Sequence, residues 1–238
     1  MSYKFIDAHF HLDGYKNHKT IYKLINTSQI YTLCVTNSPY IYIACKQNYI
    51  ETKFVKFALG FHPRLIGKER FDEKGFEKLS ENAKYIGEVG LDFSRNYVKT
   101  KNEQIRVFKK IINIAVKRNL LVSIHSVNAT DELINIIKEY KLSKFILHWF
   151  KGTEEQINEL SRLGAYFSVN PDQIKEKNIL YIPKNRILVE TDGPNNKLQK
   201  SIYSSSNIRQ AYDVISQKLN IADLKQLCYK NFYELISN

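Results

Sequence analysis

His9 and His11 are separated by one residue, so an extended chain presents both imidazoles on one face, where they can offer nitrogen to a single metal ion. Asp7, two residues earlier, is expected on that same face, placed to orient one of the rings. Glu88 stands in the apolar run Ile86-Gly87-Glu88-Val89, and a carboxylate removed from water there demands a cation or a proton. His125 and His148 each end a similar run. Asp192 ends another, Val189-Glu190-Thr191-Asp192-Gly193-Pro194, in which Glu190 and Asp192 share a face and Thr191 points the other way. Taken singly, such a histidine is more often a satisfied core residue. Together, four imidazoles and two carboxylates suit two divalent ions a few Å apart, with the carboxylate of Glu88 short enough to bridge them.

The elements that must position these groups are short β-branched or aromatic runs alternating with segments of helical period. The runs are Phe5 to His9, Tyr31 to Thr36, Val55 to Gly60, Tyr85 to Val89, Leu120 to His125, Phe145 to His148, Ala165 to Val169 and Ile187 to Glu190. The clearest helix covers Lys101 to Lys117, with Ile105, Phe108, Ile112 and Ala115 on one face. Others are expected over Thr130 to Tyr140, from a capping box at Thr153 and Gln156 to Gly164, over Ile208 to Leu219, and over Ala222 to Ile236. Eight strands, each followed by a helix, predict an α/β fold: a single-domain (β/α)8 TIM barrel over residues 1–238, its dinuclear metal site at the C-terminal ends of the strands. The rival, an open doubly wound sheet, lacks any glycine-rich phosphate loop after a strand.

Composition permits this reading without naming a partner. The 238 residues are 43% apolar, enough for a sizeable core, and disorder is excluded as the overall state. Three widely spaced cysteines, Cys34, Cys45 and Cys228, indicate neither a disulfide framework nor a cysteine zinc site. No apolar stretch is long enough for a membrane span and Met1-Ser2-Tyr3-Lys4-Phe5 lacks a leader's character, so a soluble cytoplasmic protein is expected. The net charge is +12, but 28 of the 36 cations are Lys and they accompany 28 Ile, 21 Asn and 16 Tyr, a mixture that an A/T-rich genome produces without selection for function. Cations follow the expected strands (Arg64, Lys68, Arg95, Lys197, Lys200) and precede them (Lys53, Lys84, Arg118, Arg186), so the charge singles out neither end of the barrel.

Six ordered segments carry a resemblance: Ile6-Asp7-Ala8-His9-Phe10-His11, Gly60-Phe61-His62-Pro63, Ile86-Gly87-Glu88-Val89-Gly90-Leu91-Asp92, Ser123-Ile124-His125-Ser126, Leu147-His148-Trp149-Phe150-Lys151-Gly152 and Val189 to Pro194. In order and spacing they resemble the TatD family of metal-dependent deoxyribonucleases of the amidohydrolase superfamily. The wording His148-Trp149-Phe150 and Tyr166-Phe167-Ser168-Val169 is similar to the TatD-type nucleases of Qat anti-phage defence systems. The resemblance implies that His9, His11, Glu88 and Asp192 surround one ion and Glu88, His125 and His148 the other. It also implies hydrolysis of DNA phosphodiesters, often by 3′ to 5′ removal of nucleotides from single strands. Two departures stand out: Val127 where the family usually has Arg, and Ile111 where it has a second Gln.

Phosphodiester hydrolysis needs a nucleophile at neutral pH and compensation of charge on the phosphorane, and a water shared by two divalent ions meets both needs. Asp192, which the resemblance marks as ligand and base, is the expected general base, with Glu88 as the bridging catalytic carboxylate. His62 and Arg64 could neutralise a second phosphate, Arg95, Lys99 and Lys101 could track the strand, and Phe10, Tyr97 or Trp149 could stack on a terminal base. Imidazole-rich ligation suits Zn or Mn, whereas Mg favours oxygen ligands. The expected partners are single-stranded or frayed DNA and other proteins of a defence operon. Two rivals remain at this level: an esterase or amidase such as an aminoacyl-RNA deacylase, and a metal-stabilised binding subunit of a defence complex.

Overall fold

The computed structural model describes residues 3–196 and 203–237. Its strands are β1 (Ile6–Phe10), β2 (Tyr31–Val35), β3 (Val55–Ala58), β4 (Tyr85–Asp92), β5 (Leu121–Val127), β6 (Phe145–His148), β7 (Ala165–Val169) and β8 (Ile187–Val189). Each is hydrogen-bonded in parallel to its sequence neighbours within β1 to β3 and within β4 to β8. Two seams close the ring. Between β3 and β4, Leu59 N donates to Tyr85 O at 3.0 Å and Gly87 N to Leu59 O at 2.9 Å; between β8 and β1, Asp192 N donates to His9 O at 2.9 Å and His11 N to Gly193 O at 3.0 Å. The result is the expected (β/α)8 TIM barrel.

The helices are α1 (His18–Ser28), α2 (Pro39–Asn48), α3 (Glu73–Ser80), α4 (Lys101–Lys117), α5 (Thr130–Tyr140), α6 (Glu154–Arg162), α7 (Ser205–Leu219) and α8 (Leu224–Ser237). Helix α4 buries Gln104, Phe108, Ile111, Ile112 and Ala115, the stripe its period dictates. Helix α6 begins at the expected box, with Thr153 N donating to Gln156 Oε1 at 3.0 Å and Gln156 N to Thr153 Oγ1 at 3.3 Å. One expectation fails: the connection from β7 to β8 holds no α-helix. It runs through short 3-10 turns at Pro171–Gln173, Asn178–Tyr181 and Lys184–Arg186. Pro171 and Pro183 break the segment, and no apolar stripe lies between them to pack a helix on the sheet. No helix among the described residues is long and apolar enough to cross a membrane. Lys197 and Lys200 lie outside the described residues.

The lower barrel is filled by Ile6, Leu33, Leu121, Ile146, Tyr166 and Leu188, and Leu235 of α8 joins this cluster with Phe232 against it. Above that apolar layer the inward positions turn polar. The change depends on two irregular registers. In β1, Asp7 pairs with Thr32 but Phe10 with Cys34, so Ala8 and His9 together face one residue of β2. In β4, Ile86 pairs with Val122 but Val89 with Ile124, which gives Gly87 and Glu88 the same shared position opposite β5. Each bulge inverts the alternation of inward and outward side chains above it.

Candidate metal centre

The bulge in β1 decides which of its polar residues enter the barrel. His9 and His11 point inward and Phe10 points outward into the core behind the strands. Asp7, below the bulge, does not share their face as the period of two predicted. Its carboxylate accepts from Thr191 N at 2.9 Å and from Thr191 Oγ1 at 2.6 Å, tying β1 to the chain beyond β8. Burial then pushes the Asp7 carboxyl up to about 7, opposed by those two donors. Phe10, fully buried, has no face for a base.

The other expected residues meet at the top of the barrel, where His9, His11, Glu88, His125, His148 and Asp192 are all buried. The Glu88 carboxylate lies between two sets of partners. Its Oε2 faces His11 Nε2 at 3.3 Å and His9 Nε2 at 3.6 Å, and Asp192 Oδ1 lies 3.4 Å from His11 Nε2 and 3.9 Å from His9 Nε2. Its Oε1 faces His125 Nδ1 at 2.8 Å, His148 Nε2 at 3.0 Å and His62 Nε2 at 3.2 Å. Potential ligand atoms therefore fall into groups: His9, His11 and Asp192; His9, Glu88 and His148; and His62, Glu88 and His125.

The groups on the far side of each ring bear on which nitrogen can ligate. His125 Nε2 lies 3.1 Å from Asp92 Oδ2 and His148 Nδ1 faces Glu190 Oε1 at 3.4 Å. Both outer nitrogens face carboxylates and can carry a proton there, so His125 Nδ1 and His148 Nε2 are the nitrogens that would turn to a cation. His9 Nδ1 contacts Ser123 Oγ at 3.0 Å, while its buried Nε2 has no hydrogen-bond partner. That bare nitrogen, converging with oxygens of Glu88 and Asp192, is an arrangement of acceptors that a cation satisfies, so the residues present fit divalent ions. His62 differs. Its Nδ1 accepts from Arg64 N at 3.1 Å, so the proton sits on Nε2, which makes this ring a donor beside Oε1 and not a ligand.

The charges of the set follow from the same geometry. Burial pushes the Glu88 carboxyl up, but His62, His148 and the donors on His11 and His125 outweigh it and hold it well below the usual carboxylate range. Burial lowers His11 too, yet Glu88 and Asp192 raise it to about 9. His9 is driven well below its ordinary value by burial and by the His148 ring stacked 3.8 Å away. Asp192 is raised by burial against the opposing pull of His11 and His148, so its carboxylate is a better proton acceptor than a solvated one. Its backbone is held in the left-handed region at φ 50°, and Trp149 at φ 41°, conformations that side-chain-bearing residues keep only where the surroundings impose them.

A cleft of about 1100 Å3 opens over this centre. Arg64, Lys68 and Lys101 line it, as do Asp131 and Glu132 in the first turn of α5, with Trp149 and Val127 also exposed to it. His62 lies in the floor. Arg95, expected on the substrate path, is exposed outside the cleft, and Lys99 is likewise absent from its lining. Tyr97 stands behind the basic wall, beneath Arg64 and Lys68. Three buried carboxylates or amides that sequence reasoning passed over hold the centre in place. They are Asp92, Glu190 and Gln104, which receives Asp92 N at 2.7 Å and donates back to Asp92 O at 2.9 Å. The signal was available for the two acids, since each sits in an apolar run as Glu88 does.

Comparison with known proteins agrees with this geometry. The model of the family described as TatD related DNase matches residues 6–237. Human Deoxyribonuclease TATDN3 is 34% identical over 154 residues, 61% of this chain and 56% of that protein. The 3'-5' ssDNA/RNA exonuclease TatD of Escherichia fergusonii is 34% identical over 118 residues, 46% of this chain and 45% of that protein. The chain thus matches about half the length of these curated relatives. In fold, it superposes on the crystal structure of the TatD homologue YJJV from Escherichia coli K12 with a TM-score of 0.83 at 21% identity, covering 98% of both chains. A barrel closed over two histidine groups that share Glu88, with the family match running from β1 to α8, identifies the chain as a member of the TatD-related DNase family.

Proposed function

We propose that this protein is a metal-dependent deoxyribonuclease that removes nucleotides from the 3′ ends of single-stranded DNA, with His9, His11, Glu88, His125, His148 and Asp192 holding two divalent ions. The observation that carries the reading is the division of the Glu88 carboxylate, Oε2 toward one histidine pair and Oε1 toward another. Divalent ions in such a site supply Lewis acidity, acidifying water and drawing charge from phosphoryl oxygens. Glu88 would bridge the two positions, Asp92 holds the His125 ring through Nε2, and Ser123 and Glu190 lie beside the outer nitrogens of His9 and His148. Asp192, raised by burial and opening on the cleft, accepts the proton of the attacking water. The His62 Nε2–H, once Oε1 is engaged, donates to a nonbridging oxygen of the substrate. Imidazole-rich donors favour Zn or Mn over Mg. The 3′ to 5′ polarity is taken from what the Escherichia fergusonii relative is named for. The wording at His148-Trp149-Phe150 supports a cytoplasmic role in anti-phage defence beside other proteins of one operon.

The test is release of nucleotides from end-labelled single-stranded DNA by protein of measured metal content. EDTA should abolish release, and Glu88→Ala and Asp192→Ala should each reduce it by about 10³-fold while circular dichroism stays that of the barrel. Retained activity in both variants sinks the reading. Inertness toward every DNA form, with turnover of esters, moves the chemistry to acyl substrates.

A further inference from the structure

We propose that Arg64, Lys68 and Lys101, set against Tyr97 and Phe93, form a second anionic subsite that holds a phosphodiester of the single-stranded substrate other than the one being cut. The inference rests on the nuclease reading and adds to it where the strand's backbone runs. All three cations line the same wall of the cleft. The Arg64 guanidinium lies 5.3 Å from the centroid of the Tyr97 ring and the Lys68 Nζ 5.7 Å from it, while the Lys101 Nζ lies 4.9 Å over Phe93. The fourth cation of the cleft, Lys151, is already paired with Glu176 at 2.8 Å. Arg64 spends its Nε on Asp92 Oδ2 at 2.7 Å, which leaves the two terminal nitrogens of its fork for a ligand. No carboxylate among the described residues pairs with Lys68 or Lys101.

The wall is built rather than incidental. Gly67 adopts φ +90°, and a Cβ there would meet Thr100 Cγ2 at 3.0 Å, so the turn carrying Lys68 rests on the residue before Lys101. Thr100 Oγ1 in turn accepts from the fully buried Gln104 at 3.0 Å, and Phe93 N donates to Val127 O at 2.8 Å. Rings under the ammonium groups restrict them before any ligand arrives, which lowers the ordering cost of binding. The cleft is also lined by Asp131 and Glu132, which repel a phosphate backbone and favour a path along the three cations. Through Asp92, which holds both Arg64 and His125, the subsite adjoins the Oε1 side of Glu88.

The experiment compares Lys68→Ala/Lys101→Ala with Arg95→Ala/Lys99→Ala, a pair that removes the same charge from outside the cleft. Each metal-loaded protein is assayed on a single-stranded oligonucleotide and on bis(4-nitrophenyl) phosphate, which has one phosphate and nothing to reach the wall. The wall variant should raise KM for the oligonucleotide about tenfold at unchanged kcat, and flatten the dependence of log KM on log salt by about 0.7, the share of one phosphate contact to a single strand. Its turnover of the aryl diester should stay within about twofold. Equal KM shifts in the two pairs would reduce the effect to net charge, and a parallel loss on the aryl diester would make the wall a support of the metal centre; either overturns the subsite. If the unmodified protein cuts neither substrate, the nuclease reading has failed. The subsite is then judged by anisotropy of the labelled oligonucleotide in EDTA at low salt, where an unchanged Kd in the wall variant rejects it.

Discussion

At the residue scale, the centre depends on groups that never touch an ion. Asp92 is the clearest, because one buried oxygen receives His125 Nε2 at 3.1 Å and Arg64 Nε at 2.7 Å, fixing the proposed ligand His125 and a cleft cation together. Asp92→Asn keeps the shape and removes the charge that selects the His125 tautomer. Loss of such a partner costs about 10–100-fold in metal affinity, and that is the expected fall in a competition titration with a coloured chelator. Burial opposes the charge of Asp92, but the donors on His125, Ser94 and Arg64 win and hold its carboxyl well below the ordinary range. A group depressed in the folded state stabilises above its unfolded pKa of about 3.9 and loses that contribution as pH falls toward the folded value. The stability gap between wild type and Asp92→Asn should therefore be full above about pH 4 and narrow below it. An unchanged metal affinity would leave Asp92 with a role in packing alone.

At the scale of the elements, period and caps made most of the barrel legible. The stripe of α4 and the box at Thr153 mark helices whose bounds the structure reproduces, because local propensity and tertiary packing agree there. The β1 and β4 bulges were not legible, since an extra residue in a strand leaves no mark in an apolar run, and one such residue moved Asp7 from the histidine face to Thr191. The absence of a helix between β7 and β8 was readable from Pro171 and Pro183 but was overridden by the regularity of the repeat. Gly60 shows how tightly the β4 bulge is held. A Cβ at Gly60 would lie 1.6 Å from Thr36 O and 2.7 Å from Glu88 N, two atoms that are bonded to each other at 3.0 Å. Gly60→Ala must part β2 from β4 at Glu88. We expect a loss of about 3 kcal/mol in denaturant unfolding, the upper end for single substitutions, together with reduced metal content. A cost under about 0.5 kcal/mol would mean that the bulge moves freely, as surface changes do.

At the scale of the whole molecule, the centre sits on both seams of the ring. Glu88 follows the β3–β4 seam, and Asp192 and His9 form the β8–β1 seam through the 2.9 Å bond between their backbones. An ion held by His9, His11, Glu88 and Asp192 would therefore join the two arcs of strands, β1 to β3 and β4 to β8, that the backbone ladders leave less fully paired. The same set without an ion gathers a carboxylate, a bare His9 nitrogen and mutually close imidazoles out of water, a costly arrangement for the folded state. Metal binding must then appear as fold stability. A single ion at 100 times its Kd adds about 2.7 kcal/mol, and for a chain of this size each kcal/mol moves Tm by about 2–4 °C. Chelation should lower Tm by about 5–10 °C, and restoring the ion should return it. The diffuse +12 charge contributes differently, through encounter with an anionic strand, and is weakened by salt. Raising salt should thus slow the reaction on DNA while leaving the chelation shift in Tm nearly intact, because buried ligands are screened far less than surface lysines. A chelation shift that vanished in high salt would place the ions on the surface and not between the seams.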